Sequence, residues 1–215
     1  MSHDRIIDLY ERHAADFDTD RGRGLQEKAW LDRFLRYVPA AGNVLDLGCG
    51  MAEPIARYIV DSGRRVTGID SSASMIAMCR ARFPEQEWIV ADMRTLDLGR
   101  RFAGILAWDS FFHLHGDDQR AMFRRFASHA LPGAPLMFTS GTSEGEVVGS
   151  YRGEQLYHAS LDPATYEDLL RQNGFAVREH VEQDPSCGEH TVWLATWNGP
   201  GVDDVTLAQQ RGFAE

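Results

Sequence analysis

Cysteine is scarce in this 215-residue chain, which holds only Cys49, Cys79 and Cys187. They are odd in number, far apart and form no Cys-x-x-Cys pair, which argues against a disulfide framework or structural zinc. No apolar run reaches membrane-spanning length, and the first residues lack the apolar core of a signal peptide. A cytoplasmic location without a membrane partner is therefore expected. Positive charge is also short: 22 Lys and Arg stand against 32 Asp and Glu, for a net charge of −10. Such a chain suits sequence-independent nucleic-acid binding poorly, since that works by neutralising phosphates, and no nucleic-acid partner is expected. Lysine is represented by Lys28 alone, a bias from which no function is read. Internal repeats and an interdomain linker are absent. The length suffices for one domain with a sizeable core.

What is present is organised around Asn43 to Ala56. Val44, Leu45 and Leu47 form a short apolar run that ends at Gly48, the pattern of a buried parallel strand entering a tight turn. Pro54 fits the first turn of the helix that follows. The turn is not a dinucleotide fingerprint, because Glu53 occupies the position of the third glycine in Gly-x-Gly-x-x-Gly. A carboxylate, Asp46, stands two residues before Gly48, where it suits a ligand carrying an ammonium group.

Further carboxylates follow at predicted strand ends. Arg65 to Asp70 reads as the second strand, and Asp70 lies at its carboxyl end, 20 residues after Gly50. There it can accept hydrogen bonds from ribose hydroxyls or cap the next helix, a task Ser71 and Ser72 could share. Glu87 to Ala91 is the third strand, followed by Asp92 and Met93. The fourth, Phe102 to Trp108, leads into Asp109-Ser110-Phe111-Phe112-His113-Leu114-His115, a mixture that suits an apolar pocket with a few polar anchors.

Before the first strand, residues 4–16 read as a helix capped by Asp4. A polar break follows from Asp16 to Gly24, then a helix from Leu25 to Val38 stopped by Pro39. After the fourth strand come a helix from Asp117 to His129 with Asp117 as cap, and a strand from Leu136 to Ser140. A glycine- and serine-rich insertion covers 141–161, and a helix opens at Asp162-Pro163. The chain closes with an antiparallel pair, Phe175 to Glu182 and His190 to Trp197, whose connecting turn falls at the same end as the glycine turn. The alternation predicts a doubly wound, seven-stranded, mostly parallel sheet with an antiparallel last strand, preceded by cap helices.

In order, Asp46/Gly48/Gly50, Asp70, Asp92 and the segment after Trp108 resemble the motifs of class I S-adenosylmethionine (SAM)-dependent methyltransferases of small-molecule type. Ala52 replaces the last glycine of the first motif, and tighter packing is expected there. The resemblance implies residues 1–40 as a lid, 41–197 as the SAM domain with 141–161 over the site, and 198–215 as a loosely attached tail. It implies that Asp46, Gly48, Gly50, Asp70, Ser71, Met75, Asp92, Met93 and Trp108 bind SAM and its product S-adenosylhomocysteine (SAH). Tyr10 would cover the sulfonium and Arg21 meet the methionine carboxylate. Read without the resemblance, Tyr10 is helix packing and Arg21 a solvated charge.

Transfer to a protonated O or N atom needs a base. The candidates are Asp109, His113, His115, His158 and His190; His113, His158 and His190 come from three rim segments and rank first, with Asp109 next, and His3, His13, His129 and His180 are assigned no role. No ligand spacing points to a metal. The segment after Trp108 lacks the Asn/Asp-Pro-Pro-Tyr/Phe pattern of DNA, RNA-base and glutamine methylation. The expected activity is methyl transfer to an O, N or S atom of a small, partly apolar metabolite by a monomer or homodimer. A protein or tRNA methyltransferase and a non-catalytic SAM-binding regulatory module are the alternatives.

Overall fold

The structure is a computed structural model and describes residues 5–200. Asp4 and His3 lie outside the described residues, as does the expected tail from Gly201 onward.

Seven strands form one sheet: β1 (Asn43–Leu47), β2 (Arg65–Asp70), β3 (Glu87–Val90), β4 (Gly104–Ala107), β5 (Pro135–Ser140), β8 (Phe175–Asp184) and β9 (His190–Trp197). Their spatial order is β3-β2-β1-β4-β5-β9-β8. All pairings from β3 to β5 are parallel, whereas β9 is antiparallel to both β5 and β8. The antiparallel strand thus lies inside the sheet, one place from its edge. The order reverses between β1 and β4, and the carboxyl ends of strands at such a switch point splay apart to leave a crevice.

Helices cover both faces. Helices α6 (Gly116–His129) and α7 (Pro163–Gln172) pack on one side. There Phe111, Phe123, Phe126, Phe138, Tyr166 and Trp193 form an aromatic core. The other face carries α3 (Lys28–Leu35), α4 (Ile55–Asp61) and α5 (Ala73–Arg82). Burying a side chain such as Phe34 completely contributes about 1.5–3 kcal/mol.

Several local expectations are corrected. The first helix is two, α1 (Arg5–Arg12) and α2 (Ala14–Asp20), so half of the polar break is helical. Its acidic residues are held by distant arginines: Arg82 donates to Asp18 at 2.6 Å and Arg152 to Asp20 at 2.8 Å. Helix α3 packs on the sheet. Its apolar stripe, Trp30, Leu31 and Phe34, is fully buried, and a Cβ on Gly104 would meet Phe34 at 2.7 Å. Pro54 is the N-cap of α4, not a residue of its first turn. His115, not Asp117, caps α6, its ring accepting from the Asp117 amide.

The 141–161 insertion is a β-hairpin, β6 (Gly145–Tyr151) and β7 (Glu154–Ser160). Arg152 and Gly153 both hold positive φ, 52° and 80°, the conformation of a type I′ hairpin turn. The glycines and serines masked this alternation. Glu154 ties the hairpin to α1, pairing with Arg12 and, at 2.7 Å, with His13.

Candidate active site

A mostly apolar cavity of about 460 Å³ opens at the switch point. Every residue singled out above for cofactor or catalysis lines it: Tyr10, Arg21, Asp46, Gly48, Gly50, Asp70, Ser71, Met75, Asp92, Met93, Trp108, Asp109, His113, His158 and His190. They come from segments spread along the chain from Tyr10 to His190, and the fold gathers them.

The glycine turn is fixed from two sides. The amides of Gly48 and Cys49 both donate to the Ile69 carbonyl, at 2.7 and 3.0 Å. Gly50 N donates to Asp70 Oδ2 at 2.9 Å, and Ser72 N to Asp70 Oδ1 at 2.8 Å. Asp70 therefore ties the turn to the end of β2, and Ser72, not Asp70, caps α5. A carboxylate can accept about four hydrogen bonds, so Asp70 keeps acceptor capacity for a ligand. Ala52 holds a left-handed φ of 71° and is buried, so the missing glycine is met by a strained alanine, at a cost of about 1 kcal/mol.

Asp46 is 4 % exposed, and among the described residues no hydrogen bond or ion pair reaches its carboxylate. Burial pushes it up to about 7, with the Asp70 charge adding to the effect. Burial also raises Asp70, to about 6, against the opposing hydrogen bonds of Ser72 and Gly50. An unpaired buried carboxyl facing a cavity is costly unless a cation arrives, and a ligand ammonium is the group it fits. Asp92 is differently placed. Arg94 grips both of its oxygens, at 2.7 to 3.1 Å. Burial raises this carboxyl, but the Arg94 hydrogen bonds outweigh that and hold it below the usual range. Arg21 likewise already has a partner, the buried carboxylate of Glu27.

The three histidines converge but differ in protonation. His113 is buried; its Nδ1–H donates to the Tyr157 carbonyl at 2.8 Å, and its Nε2 accepts from the Tyr10 hydroxyl at 3.0 Å. Burial pushes this imidazole down to about 4, so it is neutral with no nitrogen left over. His190 donates from Nε2 to Asp109 at 2.9 Å and from Nδ1 to the Cys187 carbonyl at 2.6 Å. The Asp109 hydrogen bond raises it to about 9, so at neutral pH it is an imidazolium and no base. Asp109 itself sits at a φ of 49°, a strained position for a non-glycine residue at a strand end. His158, on β7, is half-buried and packs at a tilt against His113 and Phe112 with ring centroids 4.9 and 5.1 Å away. Among the described residues nothing hydrogen-bonds to its ring, and burial lowers its proton affinity below the ordinary histidine value.

Phe17 was missed because it falls in the polar break. It lies 3.7 Å from where a Gly50 Cβ would stand and so roofs the turn. Ser110 was missed as a wedge: its hydroxyl donates to the Leu47 carbonyl at 2.6 Å and fills the space a side chain on Gly48 would need. Glu27 carried only the signal of an acidic residue beside a helix start.

The sequence model of a family described as a methyltransferase domain matches residues 44–133, which span the glycine turn, Asp70, Asp92, Asp109 and His113. Over that stretch the chain is similar to this methyltransferase family. It is 36% identical over 129 residues to a dTDP-3-amino-3,6-dideoxy-alpha-D-glucopyranose N,N-dimethyltransferase of Streptomyces fradiae, covering 59% of this chain and 49% of the relative. It is 27% identical over 173 residues to a malonyl-[acyl-carrier protein] O-methyltransferase of Pseudescherichia vulneris, covering 80% and 61%. The chain thus spans about half the length of the first relative. A SAM-dependent methyltransferase from Clostridium acetobutylicum superposes with a TM-score of 0.69 at 13% identity, covering 89% of this chain and 100% of that one. SAM-bound CalS10, an amino pentose methyltransferase from Micromonospora echinaspora, superposes with a TM-score of 0.66 at 18% identity, covering 86% and 95%. At that identity the likeness establishes the methyltransferase fold. Among the described residues no helix is long and apolar enough to cross a membrane.

Proposed function

We propose that this protein transfers the methyl group of SAM to an O or N atom of a small, partly apolar acceptor, with His158 as the base. The observation that carries the reading is a neutral, unpaired imidazole in the same cavity as the glycine turn and the orphan carboxylate Asp46. The O- and N-methyltransferases among the relatives support these acceptor atoms over sulfur.

When bound, SAM supplies an electrophilic methyl group on a good leaving group. The protein's own residues then align and desolvate the acceptor. Asp46 meets the ammonium, Asp70 accepts from the ribose hydroxyls, and Ser71, Met75, Asp92 and Met93 surround the adenine. Tyr10, oriented by His113, and Trp108 close the sulfonium end. Phe112 gives the acceptor an apolar wall, and His158 takes the proton released as the new bond forms. His190 and Asp109 form an ion pair that fixes the floor beside Trp108, whose ring lies 5.3 Å from the imidazole.

The first experiment is calorimetric titration with SAH, with NAD as control, followed by an acceptor screen with labelled SAM. One-to-one SAH binding with turnover of some small acceptor supports the reading; no SAH binding ends it. SAH binding without any acceptor would favour the regulatory module.

Asp70→Ala is expected to weaken SAH binding at least tenfold, about 1.4 kcal/mol. Unchanged affinity in the titration would remove the ribose assignment. SAH affinity is also expected to fall about tenfold from pH 8 to pH 6. The ligand ammonium requires ionised Asp46, and a carboxyl raised to about 7 is mostly protonated at the lower pH. The raised Asp70 acts in the same direction. Affinity that is flat or rises toward pH 6 would contradict the Asp46 contact.

A further inference from the structure

Arg21 lines the cavity with its side chain 25% exposed, and its partner Glu27 is almost fully buried, at 4%. Glu27 sits at the N-cap of α3, where its carbonyl accepts from Trp30 and Leu31 at 3.0 and 2.9 Å. Its backbone is therefore anchored to a core helix. One carboxylate oxygen, Oε1, takes the Arg21 Nη2, and the other, Oε2, is buried with no hydrogen-bond partner. Arg21 is the C-cap of α2, one turn after Phe17, which roofs Gly50. Neighbouring groups hold this segment to the same turn. Arg23 pairs with Glu53 at 3.0 Å, and Arg82 donates to the Met51 carbonyl at 3.1 Å.

The guanidinium thus stands over the same turn as the orphan carboxylate Asp46. Glu27 takes Nη2 and leaves other donors of this cavity-lining guanidinium for a ligand. A cation and an anion that line one cavity match a zwitterionic amino-acid group. Left to itself, a flexible arginine would lose side-chain entropy on capturing a carboxylate. One already clamped by a buried partner loses less.

We infer that Glu27 is a positioning residue that holds Arg21 in place to receive the α-carboxylate of the SAM methionine moiety. The inference rests on the SAM reading above. Glu27 touches no ligand; it acts through Arg21. The opposite outcome is physically clear as well: were the pair merely a closed ion pair, removing Glu27 would free Arg21 and tighten carboxylate binding.

The test uses the full chain and two probes, SAH and 5′-methylthioadenosine, which keeps the adenosine and sulfur but lacks the amino-acid group. Glu27→Gln is expected to weaken SAH binding about tenfold while leaving methylthioadenosine affinity within about twofold of wild type. Arg21→Gln should show the same split, and the double variant should lose little more than either single one, as coupled residues do. Equal loss for both probes would assign Glu27 a general structural role and overturn the inference. Unchanged or tighter SAH binding in Glu27→Gln would overturn it too. If wild type binds methylthioadenosine or SAH not at all, it is the SAM reading that fails.

Discussion

His158→Ala is expected to lower turnover about 10²–10⁴-fold, the range for loss of a general base, while leaving the SAH dissociation constant unchanged. Four groups face the acceptor end, and three are disqualified by their partners. The His190 nitrogens both donate, one to Asp109 and one to the Cys187 carbonyl, so the ring keeps its proton at neutral pH. Both His113 nitrogens are engaged, and burial makes the ring a very weak base. Asp109 is the counter-ion of His190, so taking up a proton would leave that imidazolium unpaired. His158 alone of the four is neutral, unpaired and held rigidly by two ring contacts. Because burial shifts it below the ordinary histidine value, the acid limb of the kcat profile should lie below pH 6.5. Stopped turnover with labelled SAM, compared between wild type and variant at saturating SAH-calibrated cofactor, measures the effect. Normal turnover in His158→Ala would mean an acceptor that is already deprotonated. An equal loss of SAH affinity would make His158 a packing residue.

Gly48→Ala is expected to abolish measurable SAH binding and to destabilise the protein by several kcal/mol. Two separate costs add. The residue holds a φ of 74°, which costs an alanine about 1–2 kcal/mol. The new methyl would stand 2.2 Å from Ser110 Cβ and 2.8 Å from its hydroxyl. Overpacking of this kind costs about 1–3 kcal/mol. Neither side can retreat, since Ser110 is tied to Leu47 and the turn amides are tied to Ile69. Gly50→Ala makes the contrast. Its φ of 53° carries the same backbone cost, but its nearest neighbours are 3.7 and 3.9 Å away. It should lose only that backbone cost, about 1–2 kcal/mol of stability. Denaturant titration of both variants, with SAH calorimetry, checks the pair. Gly48→Ala with Ser110→Gly should recover part of the stability, because the double variant removes the colliding carbon. Equal effects at Gly48 and Gly50 would show that the turn is not clamped by Ser110.

Much of the fold was legible because its signals are local. Strand–turn–helix punctuation placed β1, β2 and α7, and the Asp162 cap and the Phe175–His190 pair were read from turn chemistry alone. The hairpin β6–β7 was not legible, because glycine and serine weaken the period-2 pattern that marks a strand. The boundary between α1 and α2 was hidden for a different reason. Acidic residues that look like a polar loop are helical here, and arginines far along the chain hold them.

At the site, the sequence alone determined which residue types stand at the ends of the strands. Spacing from the glycine turn brought Asp46, Asp70, Asp92 and Asp109 to the same end of the sheet, since parallel strands joined by helices must all finish on one side. Only the tertiary structure decided what each of them is free to do. A proton's affinity and a carboxylate's spare lone pairs depend on burial and on neighbours tens of residues away. His190, His158 and His113 are the same residue in sequence, yet one is cationic, one available and one spent. The field of Asp109, the open ring on β7 and the Tyr157 carbonyl made that difference, and none of these contacts is local.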